Sequence, residues 1–217
     1  MKVVILCGGL GTRLREETEF KPKPMVNIGD KPVLWHIMKY YSCFGFKDFV
    51  LCLGYKGEVI KDYFYNYEMM NNDFTIKLGN PKNVTFLQSD SENDWTVTLI
   101  NTGEKTLKGA RLKKIEKYID TDNFMVTYGD GLSNVDLNKL IDFHKAHEKT
   151  VTVTGVNAVS RFGELKIKDD FKVEDFHEKP DNISRFINGG FFVLNKSIFN
   201  YLTEDENCDL EIGTFDL

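Results

Sequence analysis

No apolar stretch in these 217 residues approaches the length of a membrane span. The run at the amino terminus, Val3 to Cys7 after Lys2, is too short even for the core of a signal peptide, so a cytoplasmic chain is expected. Positive charge is not in excess: 28 Lys and Arg stand against 33 Asp and Glu, a formal net charge of −5. General nucleic-acid and membrane surfaces reward a basic face, so the balance argues against both. A small anionic ligand needs only a local cluster of cations and is not excluded. Cysteine is sparse. Cys7, Cys43, Cys52 and Cys208 form no C-x-x-C pair, which argues against disulfides and a zinc site. Three of them sit in or beside apolar segments, where free cysteine acts as a small hydrophobe. Among four histidines, His144 and His147 lie three apart on an expected helix with no third ligand nearby. A solvated helix face is expected there rather than a metal site. No Ser–His or Cys–His nucleophile constellation, repeat, low-complexity tract or linker is found.

What remains is ordinary in bulk, 41% hydrophobic and 28% charged, and long enough to bury one substantial core. Its order is informative. "KVVILC" (2–7) and "DFVLCLG" (48–54) are continuous apolar runs, as for strands covered on both faces. "KPVLWHIMKYYSCFG" (31–45) places Leu34, Ile37, Met38 and Tyr41 at helical spacing, with Pro32 near its start and Gly45 at its end. Helices are also expected over 57–67, 108–119 and 136–147, and strands over 84–88, 123–131 and 150–156. This alternation argues for right-handed βαβ units and a mainly parallel sheet in one α/β domain spanning 1–217. Past residue 160, "GELKIK", "KVEDFHEKP" and "NGGFFVL" pair like antiparallel strands beside a sheet edge.

Ligands in such folds bind beyond the carboxyl ends of the parallel strands. Two glycine-rich corners fall there, "CGGLGTR" (7–13) and "YGDG" (128–131). The first fits neither G-x-G-x-x-G, which fails at Leu14, nor the P-loop, which lacks its Gly-Lys-Ser/Thr. A plain turn with a solvated Arg13 is one reading of it. The other is a polyphosphate site: glycines admit backbone N–H groups close to phosphate, Thr12 adds a hydroxyl and Arg13 a fork of donors. Lys21 and Lys23 follow, each before a proline that keeps the chain extended. Such a cluster of cations is costly by self-repulsion unless an anion sits among them. In the second corner Asp130 is either an Asx-type turn residue or a carboxylate able to hold Mg²⁺ against phosphate oxygens. Together the two corners favour a nucleotide site.

"LCGGLGTRLREET" resembles the signature of the sugar-1-phosphate nucleotidylyltransferases. "KPKPMVNIGDKPVLWHIM", "TLINTGEKTLKGARLK", "TYGDGLSNVD", "RFGEL" and "INGGFFVLN" are similar to the glucose-1-phosphate cytidylyltransferase branch in particular. The likeness runs in order from Met1 to about Asn195. It implies a Rossmann-like three-layer α/β fold of the nucleotide-diphospho-sugar transferase type, with a small antiparallel extension on the sugar side. It also implies a reaction of CTP with α-D-glucose 1-phosphate, giving CDP-glucose and pyrophosphate for surface polysaccharide, with Mg²⁺ as cofactor and a homo-oligomeric assembly. By the same likeness Leu6, Cys7, Gly8, Gly9, Gly11, Thr12 and Arg13 bind nucleotide, with Thr102, Arg111 and Gly129. Arg13, Lys23 and Asp130 carry catalysis, and Asp130 holds the metal. Glu178, Lys179, Asn188 and Gly189 match the sugar-phosphate side, although "INGGFFVL" reads equally as a bulged strand.

The family carries a second metal-binding aspartate in a "W-x-x-M-D-T" context that these residues do not contain. On that ground either a C-terminal truncation or a natural short form is expected, with slow turnover. A non-catalytic nucleotide-sugar sensor, or a transferase for another nucleotide or sugar phosphate, stands as the alternative.

Overall fold

A computed structural model describes residues 1–9, 20–79, 83–87, 92, 94–157, 164–169, 171–177 and 186–215. Its strands are β1 (Val3–Leu6), β2 (Asn27–Ile28), β3 (Lys31–Pro32), β4 (Asp48–Leu53), β5 (Phe74–Ile76) and β6 (Val84–Phe86). They continue with β7 (Thr96–Asn101), β8 (Asn123–Tyr128), β9 (Val151–Asn157), β10 (Glu164–Ile167), β11 (Val173–His177) and β12 (Phe186–Asn195). The α-helices are α1 (Val33–Cys43), α2 (Gly57–Tyr65), α3 (Tyr67–Asn71), α4 (Lys108–Lys114) and α5 (Leu137–His147).

Six strands form the central sheet in the order β7-β4-β1-β8-β12-β9. The pairs β7·β4, β4·β1 and β1·β8 are parallel, while β12 runs antiparallel to both β8 and β9. Side chains alternate across the sheet and both faces are covered, which is why the central strands read as unbroken apolar runs. Val3, Ile5 and Cys7 pack with Leu34, Ile37 and Met38 of α1 in one core. Val4 and Leu6 pack with Leu112, Ile198 and Phe199 in the other. The sheet is therefore the middle of three layers.

Several expectations shift. "NGGFFVL" is no edge ornament: Phe191–Leu194 is buried and lies between β8 and β9 inside the main sheet. Strand β7 was not among the expected elements, because as a half-buried edge strand it lacks the long apolar run of its neighbours. Strand β6 pairs with β5 in a separate hairpin rather than joining the sheet. The helix expected from residue 31 starts at Val33 after Pro32 and ends before Gly45, whose φ of +86° only glycine adopts readily. The helix over 57–67 breaks at Asn66, and that over 108–119 ends in a short 3₁₀ turn, Glu116–Tyr118.

The histidine pair is a further correction. His144 is 2% exposed and bonds Thr152 Oγ1 at 2.8 Å and Asn123 Oδ1 at 3.2 Å. His147 Nδ1 accepts from the Lys149 N–H, so its Nε2–H donates to Thr152 Oγ1. The Thr152 hydroxyl then donates to His144 Nδ1, whose Nε2–H donates to Asn123. The chain tying α5 to β9 and β8 thus works with both rings neutral. Burial, aided by His147, lowers the His144 pKa from its ordinary 6.5. In the unfolded chain the imidazole takes its proton at higher pH than in the fold, so stability rises with pH across this interval. The contribution is complete above the ordinary value and lost as pH falls through the folded one. Melting temperatures taken from pH 7.5 to 5 should fall more steeply for the wild type than for His144→Asn. Parallel curves would exclude His144 as the source.

Candidate active site

The two glycine corners meet where β1 and β8 end, the Gly129 N–H donating to Leu6 O at 3.0 Å. Around them lies a cavity of about 210 Å³. Leu6, Cys7, Gly8 and Gly9 form one wall, Tyr128, Gly129 and Asp130 a second, and Lys23, Pro24 and Lys108 close it. It is smaller than the roughly 300 Å³ at which whole small-molecule sites begin, a size suited to a phosphate end rather than a complete nucleotide. Lys23 lies in the short 3₁₀ turn Lys23–Met25 behind Pro22, and its Nζ pairs with Asp130 Oδ2 at 2.9 Å. Both side chains are partly exposed, at 26% and 45%, so the pair is open to exchange with a charged ligand.

Why glycine is needed at position 8 is a matter of close approach. A Cβ there would lie 2.1 Å from Arg111 Cζ, and one on Gly54 would lie 2.8 Å from Arg111 Nη1. The guanidinium of Arg111 packs across these two adjacent glycines and is 2% exposed. Its Nη1 donates to Leu53 O at 3.1 Å and to Thr102 Oγ1 at 2.7 Å, and its Nη2 to Glu104 O at 3.1 Å. None of these partners is a carboxylate. Burial lowers the pKa of Arg111, but arginine starts so high that the group keeps its charge at neutral pH. Among the described residues no carboxylate pairs with this positive charge beneath the glycine corner, where charge is poorly screened.

Burial also pushes the Cys7 thiol well above its ordinary value and that of Cys52 to about 12. Neither thiol lining or flanking the corner is a ready nucleophile.

The residues singled out from the sequence fall into four groups. Leu6, Cys7, Gly8, Gly9, Lys23, Gly129 and Asp130 surround the cavity. Thr102 and Arg111 lie beneath it, Thr102 at 1% exposure with its hydroxyl donating to Leu53 O at 2.7 Å. Gly11, Thr12, Arg13, Glu178 and Lys179 lie outside the described residues. Asn188 and Gly189 sit at the bulge where the β12·β9 register slips between Asn188 and Phe192. The bulged-strand reading of the paired glycines therefore holds. A Cβ on Gly189 would meet Val156 Cγ2 at 2.7 Å, and Gly190, at φ +78°, lies flat against the Tyr128 ring. The bulge aims the Asn188 amide at Tyr128, donating to its hydroxyl at 3.1 Å.

Lys108 and Tyr128 were missed as cavity residues. The sequence signal was thin: Tyr128 precedes the Gly-Asp-Gly corner, and Lys108 opens α4, but neither position marks its side chain as facing the cavity.

Among the described residues no helix is long and apolar enough to cross a membrane. Residues 2–215 match the Nucleotidyl transferase family. The glucose-1-phosphate cytidylyltransferases of Salmonella typhimurium and Salmonella typhi are each 50% identical over 206 residues, 94% of this chain and 79% of theirs. The crystal structure of HddC from Yersinia pseudotuberculosis complexed with GMP-PN superposes with a TM-score of 0.67 at 30% identity, covering 97% of this chain and 83% of that one. The chain belongs to the nucleotidyl transferase family, in its glucose-1-phosphate cytidylyltransferase branch.

Proposed function

We propose that the protein transfers the cytidylyl group of CTP to α-D-glucose 1-phosphate, giving CDP-glucose and pyrophosphate for surface-polysaccharide sugars. The observation that carries this reading is the Lys23–Asp130 pair on a small glycine-walled cavity, in a chain half identical to enzymes named for that reaction. A phosphate oxygen of the sugar phosphate attacks the α-phosphorus of CTP. The new P–O bond forms as the α–β bridging bond breaks, and pyrophosphate leaves with the bonding pair. The attacking group is already an anion, so no protein nucleophile is required. Catalysis is in-line positioning and charge neutralisation.

In this scheme Lys23 leaves Asp130 for the reacting phosphate, and the buried Arg111 charge favours anions over Gly8 and Gly9. Thr102 fixes Arg111 from below, and Arg13 adds its fork from the undescribed part of the corner. Asn188 and Gly189, with Glu178 and Lys179, receive the sugar. Asp130 is the residue that would hold Mg²⁺. It is a single exposed carboxylate, and among the described residues no cluster of three or more Asp, Glu, His or Cys is placed to cage an ion. That fits Mg²⁺, which takes one or two carboxylates and completes its shell with substrate phosphate and water. Bound there, it would supply further positive charge to the phosphate oxygens.

The assembly is proposed to be a cytoplasmic homo-oligomer, supported by large apolar side chains such as Tyr65, Met70 and Leu78, each at least 80% exposed, and testable by sedimentation. The reaction itself is tested by pyrophosphate release from glucose 1-phosphate and Mg²⁺ with CTP, UTP, dTTP and ATP in parallel. CTP should outrun the others by at least about tenfold, the loss from leaving one buried polar group unpaired against the wrong base. Equal rates would overturn the choice of base, and silence with all four would overturn the reading.

A further inference from the structure

Beside the cavity, three elements converge on one carboxylate. Glu211 Oε2 pairs with the ammonium of Lys108, at the start of α4. Glu211 Oε1 accepts the hydroxyl of Tyr128, at the end of β8, and lies 3.5 Å from Asn188 Nδ2, in the bulge of β12. The segment that presents Glu211 is firmly seated. The Ala110 N–H donates to Cys208 O at 3.0 Å, and Asp209 Oδ1 accepts from the Glu211 and Ile212 N–H groups at 2.9 and 3.0 Å. Gly109 admits this backbone, since a Cβ there would meet Asp209 O and Cys208 O at 2.9 Å. Lys108 is also held over the Tyr128 ring, 5.7 Å from its centroid, and lies 3.9 Å from Asp209.

The direction of the hydrogen bonds follows from chemistry. A carboxylate paired with an ammonium can only accept, so Tyr128 must donate to Glu211. The Tyr128 oxygen is then left to accept, and does so from Asn188 Nδ2 at 3.1 Å. That leaves Asn188 Oδ1 to take the Gly190 N–H, at 2.8 Å. An asparagine amide offers two unlike ends, and both are engaged: the fixed Gly190 donor takes the oxygen and the Tyr128 oxygen takes one N–H. Asn188 is itself exposed and keeps one N–H and one oxygen lone pair for a ligand.

We propose that Glu211 is a positioning residue for the sugar phosphate: by accepting the Tyr128 hydroxyl it leaves the Tyr128 oxygen to accept from Asn188, and so holds the Asn188 amide, whose oxygen the Gly190 N–H already claims, in place for sugar hydroxyls. The proposal rests on the transferase reading above and extends its sugar side. Glu211→Gln tests it, because a glutamine that keeps its oxygen on Lys108 turns its N–H groups on Tyr128, which leaves the Tyr128 hydroxyl without an acceptor and loosens its hold on Asn188. Tyr128→Phe cuts the same chain without touching the ion pair, and serves if Glu211→Gln fails to fold.

Steady-state kinetics should show KM for glucose 1-phosphate raised about tenfold in either variant, with KM for CTP within about twofold, the loss of one oriented hydrogen bond. The double variant should be no worse than the single ones, since both cut one chain. KM values for both substrates rising together, or neither moving, would overturn the positioning role while leaving the reaction intact. A wild type that releases no pyrophosphate from CTP and glucose 1-phosphate would overturn the reaction, and this role with it.

Discussion

Gly8→Ala is expected to lower the melting temperature by roughly 10 °C and to abolish turnover. The added methyl would stand 2.1 Å from Arg111 Cζ. An arginine tip can normally swing aside, but this one also packs against the neighbouring Gly54 and is bonded to three oxygens. Hydrogen bonds from charged groups contribute about 1.5–3 kcal/mol each, so displacing the guanidinium should cost about 3 kcal/mol or more. For a chain of this size each kcal/mol moves the midpoint by about 2–4 °C. Gly9 supplies the control: among the described residues a Cβ there meets nothing within 4 Å, so Gly9→Ala should melt with the wild type. The second control is Arg111→Met. Leu53 O keeps the Thr102 N–H and hydroxyl as donors, so removing the guanidinium does not orphan it. Combined with Gly8→Ala, it should recover much of the lost stability while turnover stays low, because the charge beneath the corner is gone. A Gly8→Ala protein with unchanged melting and kinetics would show that the corner yields freely.

Lys23→Met should reduce kcat by about 10²–10³, the scale of losing one preorganised group from a phosphoryl or acyl transition state. Its stability should scarcely change. A partly exposed ion pair contributes at most about 1 kcal/mol, so breaking the Lys23–Asp130 pair is a small structural loss. Asp130→Asn should likewise fold normally while losing most of its response to a Mg²⁺ titration. The charge-swapped double variant, Lys23→Asp with Asp130→Lys, separates the two possible roles. If the pair only braces the corner, reversing it restores function, because the same two charges face each other. If each residue serves a different ligand group, reversal restores nothing. Recovered activity in the swap would remove both residues from the chemistry.

The sequence made the middle of the sheet plain and its margins obscure. β1 and β4 announce themselves because both their faces are buried, which leaves no polar position in the run. β7 has one neighbour and mixed Thr, Val and Leu, so nothing in its composition separates it from the polar stretch before it. The interior place of β12 depends on pairing with β8 and β9, and pairing partners are not written in local pattern. The site divides in the same way. Glycine, Lys23 and Asp130 could be found because their residue types and strand-end positions carry the chemistry. Arg111 is invisible as the floor of the corner, since its contacts with Leu53 and Gly8 exist only after folding. Glu211 is 83 residues from Tyr128 and meets it through the packing of residues 208–211 on α4. Histidines 144 and 147 misled for the converse reason: helical spacing placed them on one face but could not say that β9 covers it.

The order of synthesis adds a consequence of the sheet's connectivity. β1 leaves the ribosome first, yet its inner partner is β8, joined through Val3 to Met125, and β8 is in turn closed by β12 only when Leu194 reaches Phe124. Contacts so distant along the chain form slowly, because loop closure precedes their gain. A nascent chain that has emerged only as far as α5 would hold an exposed β8 edge and a cavity without its Asn188 and Glu211 side. Protease sensitivity of ribosome-stalled chains, cut on either side of residues 186–195, should therefore drop sharply only after β12 has emerged. The stretch that completes the sheet also brings Asn188 to the site, so the growing chain gains its stability and part of its proposed acceptor site together, and Glu211 follows.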